Sequence, residues 1–232
     1  MDLLTLLADL HVDGARQGPG SRAATQQALT LARAAGLPEG PLTMADLGCG
    51  TGASTEVLAT ALSGSLTALD FIPAFLERLN GNLATLDTQA TVTTREGDMS
   101  APPFEAGSLD LLWSEGAIYN LGFRTGLRTW RPFLKPGGFI AVSELTWLTA
   151  TRPEALTAHW EAAYPEVATA GAKLQVLEEQ GFRPVGYFPL GAECWLENYY
   201  DPLEARFPAF LSRHAGDAAA EALLAEERAE IA

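Results

Sequence analysis

The stretch Met44-Ala45-Asp46-Leu47-Gly48-Cys49-Gly50-Thr51-Gly52 decides the fold, together with a second apolar run from Leu66 that ends in the carboxylate of Asp70. It predicts a strand, a glycine turn, a helix and another strand with an acid at its tip. Gly48, Gly50 and Gly52 stand at alternate positions, where the backbone can turn sharply and approach a ligand with no Cβ in the way. Asp70 is then placed to hold ribose hydroxyls, so the pattern suits a cofactor that carries a nucleoside.

The glycine spacing separates two cofactor classes. A dinucleotide fingerprint reads G-x-G-x-x-G and seats a pyrophosphate on the next helix N-terminus, whereas this chain has G-x-G-x-G with Asp46 two residues upstream. A carboxylate at the strand end repels a pyrophosphate and attracts an ammonium or sulfonium. That favours S-adenosyl-L-methionine over NAD. No G-x-x-x-x-G-K-[ST] occurs, so a phosphate-cradling P-loop is not expected.

Outward from this motif, the pattern predicts alternating elements. Ser21 caps a helix to about Ala35, after an amphipathic start and a Gly/Pro elbow over Met1 to Gly20. Strands are expected near Leu42 to Asp46, Leu66 to Phe71, Thr91 to Glu96, Leu109 to Ser114 and Phe139 to Glu144, with a sixth near Phe182 to Pro189. Helices fall between them, near Ser54 to Leu62, Pro73 to Leu86, Gly122 to Phe133, Pro153 to Ala163 and Thr169 to Gln180. Lys135-Pro136-Gly137-Gly138 reads as a turn into strand five. Such alternation implies an α/β fold, a Rossmann-like, doubly wound, mostly parallel sheet whose ligand crevice lies at the carboxyl ends of the strands.

At 232 residues, 47% hydrophobic and 19% charged, the chain suits a single domain over 1–232. Within it, 1–40 forms an N-terminal helical lid and 41–150 a cofactor-binding core. Residues 151–232 supply substrate-side helices, strand six and a helical stretch from Asp217 to Ala232. Fifteen Lys and Arg against 29 Asp and Glu give a formal net charge of −14, which repels phosphate backbones, so no nucleic-acid partner is expected. Arg124, Arg128 and Arg131, at helical spacing, decorate a solvated face. Cys49 and Cys194 form no disulfide framework and fit a reducing, cytoplasmic compartment. Cys49 reads as a small packing residue. The apolar run Leu3 to Leu10 contains Asp9, lacks a basic flank and is too short to span a bilayer, so no membrane partner is expected.

Asp46 to Gly52, Leu69-Asp70-Phe71, Glu96-Gly97-Asp98-Met99 and Leu134-Lys135-Pro136-Gly137-Gly138, in this order, resemble the motifs of class I S-adenosylmethionine-dependent methyltransferases. Arg16-Gln17-Gly18-Pro19-Gly20-Ser21 and Ser114-Glu115-Gly116-Ala117-Ile118-Tyr119-Asn120 further resemble a bacterial small-molecule branch related to the ubiquinone and menaquinone methyltransferases. The resemblance implies seven strands, the last antiparallel between strands five and six. No candidate seventh strand is found, so either the sequence is shortened or strand six packs directly against strand five.

The cofactor site is then expected to use Asp46 and the backbone of Gly48, Gly50 and Gly52 at the methionine end, Asp70 at the ribose, and Phe71 and Ile72 at the adenine face. Asp98 is placed to accept the adenine amine and Met99 to pack on the ring, with Ser114 at the same rim. The resemblance makes the elbow a lid with Arg16 or Gln17 near the cofactor carboxylate; an ordinary loop is the other reading. Glu115 is either a substrate contact or base or a structural carboxylate on the next helix, with Tyr119 and Asn120 orienting the acceptor. Glu144 and Trp147 after strand five, and Trp195 and Tyr199 beyond strand six, are candidate substrate walls or simply core. His11, His159 and His214 show no metal-ligand spacing, so no metal is expected.

These readings favour an S-adenosylmethionine-dependent methyltransferase with a small-molecule acceptor, working as a monomer or homodimer. Alternatives are a non-catalytic sensor or scaffold that binds the same cofactor, an aminopropyltransferase on the same fold, and, least favoured, a dinucleotide oxidoreductase.

Overall fold

A computed structural model describes residues 2–231, so the expectations touching Met1 and Ala232 lie outside the described residues there. Five parallel strands, β1 (Leu42–Leu47), β2 (Gly64–Asp70), β3 (Ala90–Glu96), β4 (Leu109–Ser114) and β5 (Leu134–Val142), stand in the order β3-β2-β1-β4-β5. The order reverses beside β1, which opens a crevice between the ends of β1 and β4, where such sheets bind ligands. Helices α2 (Arg22–Ala34) and α3 (Ala53–Ala61) cover one face through Leu29, Leu58 and Leu62, against Met44, Leu66, Leu111 and Trp113. Helix α4 (Pro73–Leu83) flanks β2 and β3, and α5 (Phe123–Trp130) packs Phe123, Leu127 and Trp130 over Ala45, Leu47, Leu69 and Leu112 on the other face. Both faces of the central strands β1 and β4 are thus buried, which is why these two read as largely apolar runs.

Strand five starts earlier than the pattern predicts. Register runs from Leu109 opposite Leu134 to Leu111 opposite Phe139, so Lys135-Pro136-Gly137-Gly138 bulges out within the strand instead of preceding it. The expected sixth strand, Phe182 to Pro189, does not form among the described residues. Pro184 removes a ladder donor and Gly186 weakens extended backbone, while Phe182 alone turns in toward the core. The main sheet therefore ends at β5, and a separate two-stranded parallel ladder joins β6 (Thr146–Trp147) to β7 (Ala168–Thr169).

A second body of apolar packing sits apart from the sheet. Helix α1 (Leu3–His11) buries Leu6 and Leu10 against Leu203, Phe207, Phe210, Leu223 and Leu224. These partners come from chain residues 201–224, so the two ends of the sequence meet in one helical cap. After α6 (Glu154–Ala163), α7 (Ala170–Glu179) and α8 (Ala192–Trp195) comes a wide turn, Leu196–Tyr200, which leads into α9 (Asp201–Glu204), α10 (Phe207–Arg213) and α11 (Ala218–Ile231). Asp9 fixes α1 to α10 by accepting from Arg213 at 2.9 Å, with His214 at 2.8 Å. No described helix is long and apolar enough to cross a membrane.

One buried ion pair ties α7 to the end of β5. Lys173 Nζ donates to Glu144 Oε1 at 2.5 Å and to the Glu166 carbonyl at 2.6 Å, and the Tyr164 hydroxyl donates to the same Glu144 oxygen at 2.7 Å. Burial raises the Glu144 carboxyl above its ordinary value even with Lys173 pulling it down. Removing one partner leaves a charge stranded without water, whereas removing both does not. Lys173→Met should therefore cost about 3 kcal/mol in urea unfolding, and Glu144→Leu with Lys173→Met should recover most of that loss; equal stability of the single variant and the natural chain would contradict this role.

Candidate active site

The site starts at β1. Its residues alternate between the two sheet faces, so Asp46 shares with Met44 the face covered by α3. There it is fully buried, and its Oδ2 accepts from Ser54 Oγ at 2.8 Å and from Thr55 Oγ1 at 2.6 Å. Its Oδ1 has no hydrogen-bond partner among the described residues. Burial drives the Asp46 carboxyl up to about 7, the two hydroxyls pulling against that rise. Asp46 therefore lies beneath the glycine loop and does not line the cavity, which corrects the expectation of a direct ligand contact from the strand end.

Gly48, Gly50 and Gly52 have φ of +70°, +54° and +98°, a left-handed region closed to most side chains. A Cβ at Gly48 would strike Ala117, and one at Gly50 would strike the amide of Gln17. Gly48 and Gly50 border the cavity, while Gly52 starts α3 and lies against Leu79 outside it. Asp70 anchors the loop: its Oδ2 accepts from the Gly50 N–H at 2.8 Å and its Oδ1 from the Ile72 N–H at 3.0 Å. Burial raises the Asp70 carboxyl, against those backbone donors.

The elbow before α2 locks onto this loop. Gln17 Oε1 accepts from the Thr51 N–H at 2.8 Å and from Thr51 Oγ1 at 3.1 Å, while its Nε2 donates to the carbonyls of His11 and Gly14. Arg16 donates to Glu115 Oε2, and Glu115 Oε1 also accepts from Thr25 Oγ1 at 2.7 Å and from Trp113 Nε1 at 2.9 Å. Glu115 borders the cavity, yet both of its oxygens are engaged in holding the elbow and α2 to the end of β4. That occupation favours a clamp over a proton acceptor.

These pieces enclose one cavity of about 640 Å³ between the sheet rim and the helical cap. Arg16, Gln17, Asp70, Phe71, Asp98, Met99, Glu115, Tyr119, Asn120 and Tyr199 all line it with the loop glycines. Phe71 is 54% exposed, its ring open to the cavity. Asp98 accepts from the Ser100 N–H at 2.7 Å, and Trp130 Nε1 holds the Met99 carbonyl at 2.7 Å, which fixes this part of the rim. A short 3-10 turn, Ile118–Leu121, presents Tyr119 and Asn120. Gly18 faces the backbone of Gly116, where a Cβ would come to 3.8 Å, so bare backbone forms both walls at that point.

Four expected residues stand elsewhere. Ser114 is fully buried and donates to the Leu47 carbonyl at 2.8 Å, tying β4 to β1. Glu144 is consumed by Lys173 and Tyr164. Trp147 stacks under Arg152, whose guanidinium carbon lies 4.1 Å from the ring centre. Trp195 packs on Tyr200 in the helical cap, with ring centres 5.8 Å apart. Conversely, Leu7, His11, Glu227 and Glu230 line the cavity without having been expected there. On α11, Glu227 follows the buried Leu223 and Leu224 by four and three positions, an inward-facing acid that helical spacing could have flagged.

Asp46 carries a testable pH signature. Its folded value of about 7 lies above that of an unfolded aspartate, so the folded state holds an extra proton between those two values. Its contribution to stability is complete below the unfolded value and is lost as pH rises through about 7. Relative to Asp46→Asn, the ligand-free natural chain should lose stability as pH rises from about 4 to 7, with a slope no steeper than about 1.4 kcal/mol per pH unit, as read by unfolding at several pH values. A flat difference would contradict a protonated buried acid.

Residues 44–138 match the family described as "Methyltransferase domain". A malonyl-[acyl-carrier protein] O-methyltransferase of Dechloromonas aromatica is 35% identical over 126 residues, 53% of this chain and 44% of that protein. A demethylmenaquinone methyltransferase of Desulfitobacterium hafniense is 29% identical over 127 residues, 51% of this chain and 47% of the relative. The match thus spans less than half the length of either relative. Among solved structures, a SAM-dependent methyltransferase from Thiobacillus denitrificans in complex with S-adenosyl-L-homocysteine superposes with a TM-score of 0.77 at 18% identity, over 99% of this chain and 90% of that one. At that identity the likeness is one of fold. The strand order, the glycine loop and the sequence match agree: residues 44–138 are similar to a methyltransferase domain, and the fold is that of class I architecture.

Proposed function

We propose that the chain is an S-adenosylmethionine-dependent methyltransferase acting on a small-molecule acceptor. One observation carries this reading: a single cavity joins a rim built for a nucleoside to a chamber under the helical cap. The donor set suits the cofactor. Asp70 and Asp98 offer lone pairs to hydroxyls and to an exocyclic amine, Phe71, Ile72 and Met99 offer apolar faces, and the bare backbone of the loop leaves room at the methionine end. Asp46 supports the loop from beneath through the hydroxyls of Ser54 and Thr55.

When bound, S-adenosylmethionine supplies an electrophilic methyl carbon, to which the acceptor's lone pair bonds as the carbon–sulfur bond breaks and leaves its pair on sulfur. The chain's own contribution is alignment and exclusion of water. Arg16 and Gln17 close the elbow over the loop, and Tyr119 and Asn120 present hydrogen-bonding groups to the acceptor. The enclosed chamber and the acidic surface favour a small molecule over nucleic acid. Two free cysteines suit a reducing, cytoplasmic setting.

Calorimetry with S-adenosylhomocysteine tests the reading. The natural chain should bind it, and Asp70→Ala, which removes a ribose acceptor and frees the Gly50 N–H, should weaken binding by about tenfold or more. Unchanged affinity in the variant, or binding of NADH in preference, would contradict the assignment.

A further inference from the structure

The helical cap is bonded densely within itself and sparsely to the sheet. Arg213 and His214 hold Asp9, Arg206 Nε donates to the Leu10 carbonyl at 3.1 Å, and His11 meets Glu227 at 3.2 Å, so α1 belongs to the cap. The cap's apolar core draws on no strand residue. Among the described residues, two hydrogen bonds tie the stretch 192–231 across to the sheet body, and both end on Gly20: its N–H donates to the Cys194 carbonyl at 3.1 Å, and its carbonyl accepts from Asn198 Nδ2 at 3.1 Å. Gly20 directly precedes Ser21, whose hydroxyl accepts from the Ala24 N–H and starts α2 on the sheet. The cap is thus fastened to the core at one residue. Its other tie is the elbow that continues from α1, where the Gly14 carbonyl accepts from Thr51 Oγ1 at 3.1 Å.

This fastening stands directly behind the cavity wall. The wide turn Leu196–Tyr200 is a single turn of π-helix, in which Asn198 meets Gly20 while the next residue, Tyr199, lines the cavity. On the far side of Gly20 lies Arg16, whose guanidinium a Cβ at that position would strike and which in turn holds Glu115. Gly20 is therefore gripped between the cap and a lining side chain. Gly20, Cys194 and Asn198 do not themselves line the cavity, so a ligand inside touches none of the three.

We propose that Asn198, together with the Cys194 carbonyl, latches the cap onto the core at Gly20 and sets how fast the cofactor exchanges without setting how tightly it binds. The cavity lies between the sheet rim and the cap, so lifting the cap opens it, and the two bonds at Gly20 must break for the cap to lift. A ligand enters and leaves only while such a gate is open, and both rates then scale with the open fraction. A bond that the ligand does not touch changes that fraction by the same factor with the cavity filled or empty. The ratio of the two rates, which is the Kd, stays where it was. Asn198 is a positioning residue on this account, acting through Gly20 and away from the reacting atoms. The inference rests on the methyl-transfer reading and adds to it the control of cofactor residence.

Surface plasmon resonance on the full chain, with S-adenosylhomocysteine as the probe, reads both rates. Loss of one hydrogen bond in Asn198→Ala should raise association and dissociation rates together by about threefold to tenfold, with Kd held within about twofold. Asn198→Asp, which sets a carboxylate oxygen against the Gly20 carbonyl in place of the donor, should change both rates in the same direction. Amide hydrogen exchange supplies a second readout: the Gly20 N–H should exchange faster in Asn198→Ala by a similar factor, while Leu223 and Leu224 in the cap core keep their protection. Unchanged rates, or a Kd that rises as much as the dissociation rate, would overturn the latch, as would a Gly20 amide that exchanges no faster. Failure of S-adenosylhomocysteine to bind the natural chain would instead overturn the methyl-transfer reading, and this inference with it.

Discussion

The hydrogen bond from the Gly50 N–H to Asp70 fixes where everything else in the site can be. The loop between β1 and α3 has no side chains of its own to hold it at Gly48, Gly50 and Gly52, and its left-handed backbone is available only because those residues lack a Cβ. Such a loop is conformationally costly to order. Asp70 anchors it from the neighbouring strand, and Gln17 anchors it from the elbow through Thr51. The register of β1 against β2 brings Asp46 opposite Ala68 and Leu47 opposite Leu69, so sheet pairing sets Asp70 at the height of the loop. Strand register, loop geometry and the ligand end of the cavity are thus one mechanical unit.

A second constraint comes from the ends of the chain. Helices α1 and α11 share a core that is separate from the sheet, and their polar faces close the cavity from above. Apolar burial among Leu6, Leu10, Leu223 and Leu224 holds the cap together, so the acids on the inner face of α11 need not contribute to its stability. Charges kept in a partly dry chamber without a cation oppose folding. Glu115 and Glu144 each face a cation, whereas Glu227 meets His11 and Glu230 the Tyr200 hydroxyl.

Much of the architecture was legible because its signals are local. Strands β1, β2 and β4 are short, largely apolar runs, β3 is a β-branched run rich in threonine, and the ends of β2 and β3 mark the rim where Asp70 and Asp98 line the cavity. Reading stopped working where tertiary packing chose between local options. The aromatic run from Phe182 to Pro189 has strand composition, yet its prolines and glycine left it outside the sheet. Ser114 and Glu144 sit at strand ends like the rim acids, and only their partners, Leu47 and Lys173, show that they turn away from the cavity. Sequence could not pair His11 with Glu227, because 216 residues separate them. An acid on the inward face of an otherwise ordinary helix was the one local hint.

Amide hydrogen exchange, followed residue by residue with and without S-adenosylhomocysteine, tests most directly whether loop, elbow and rim act as one ligand-binding unit. The account predicts that the ligand slows exchange together at Gly50 and Thr51, at Ile72 beside Asp70, and across the elbow around Gln17. Protection confined to one of these segments, or appearing only at the far edge of the sheet, would contradict it.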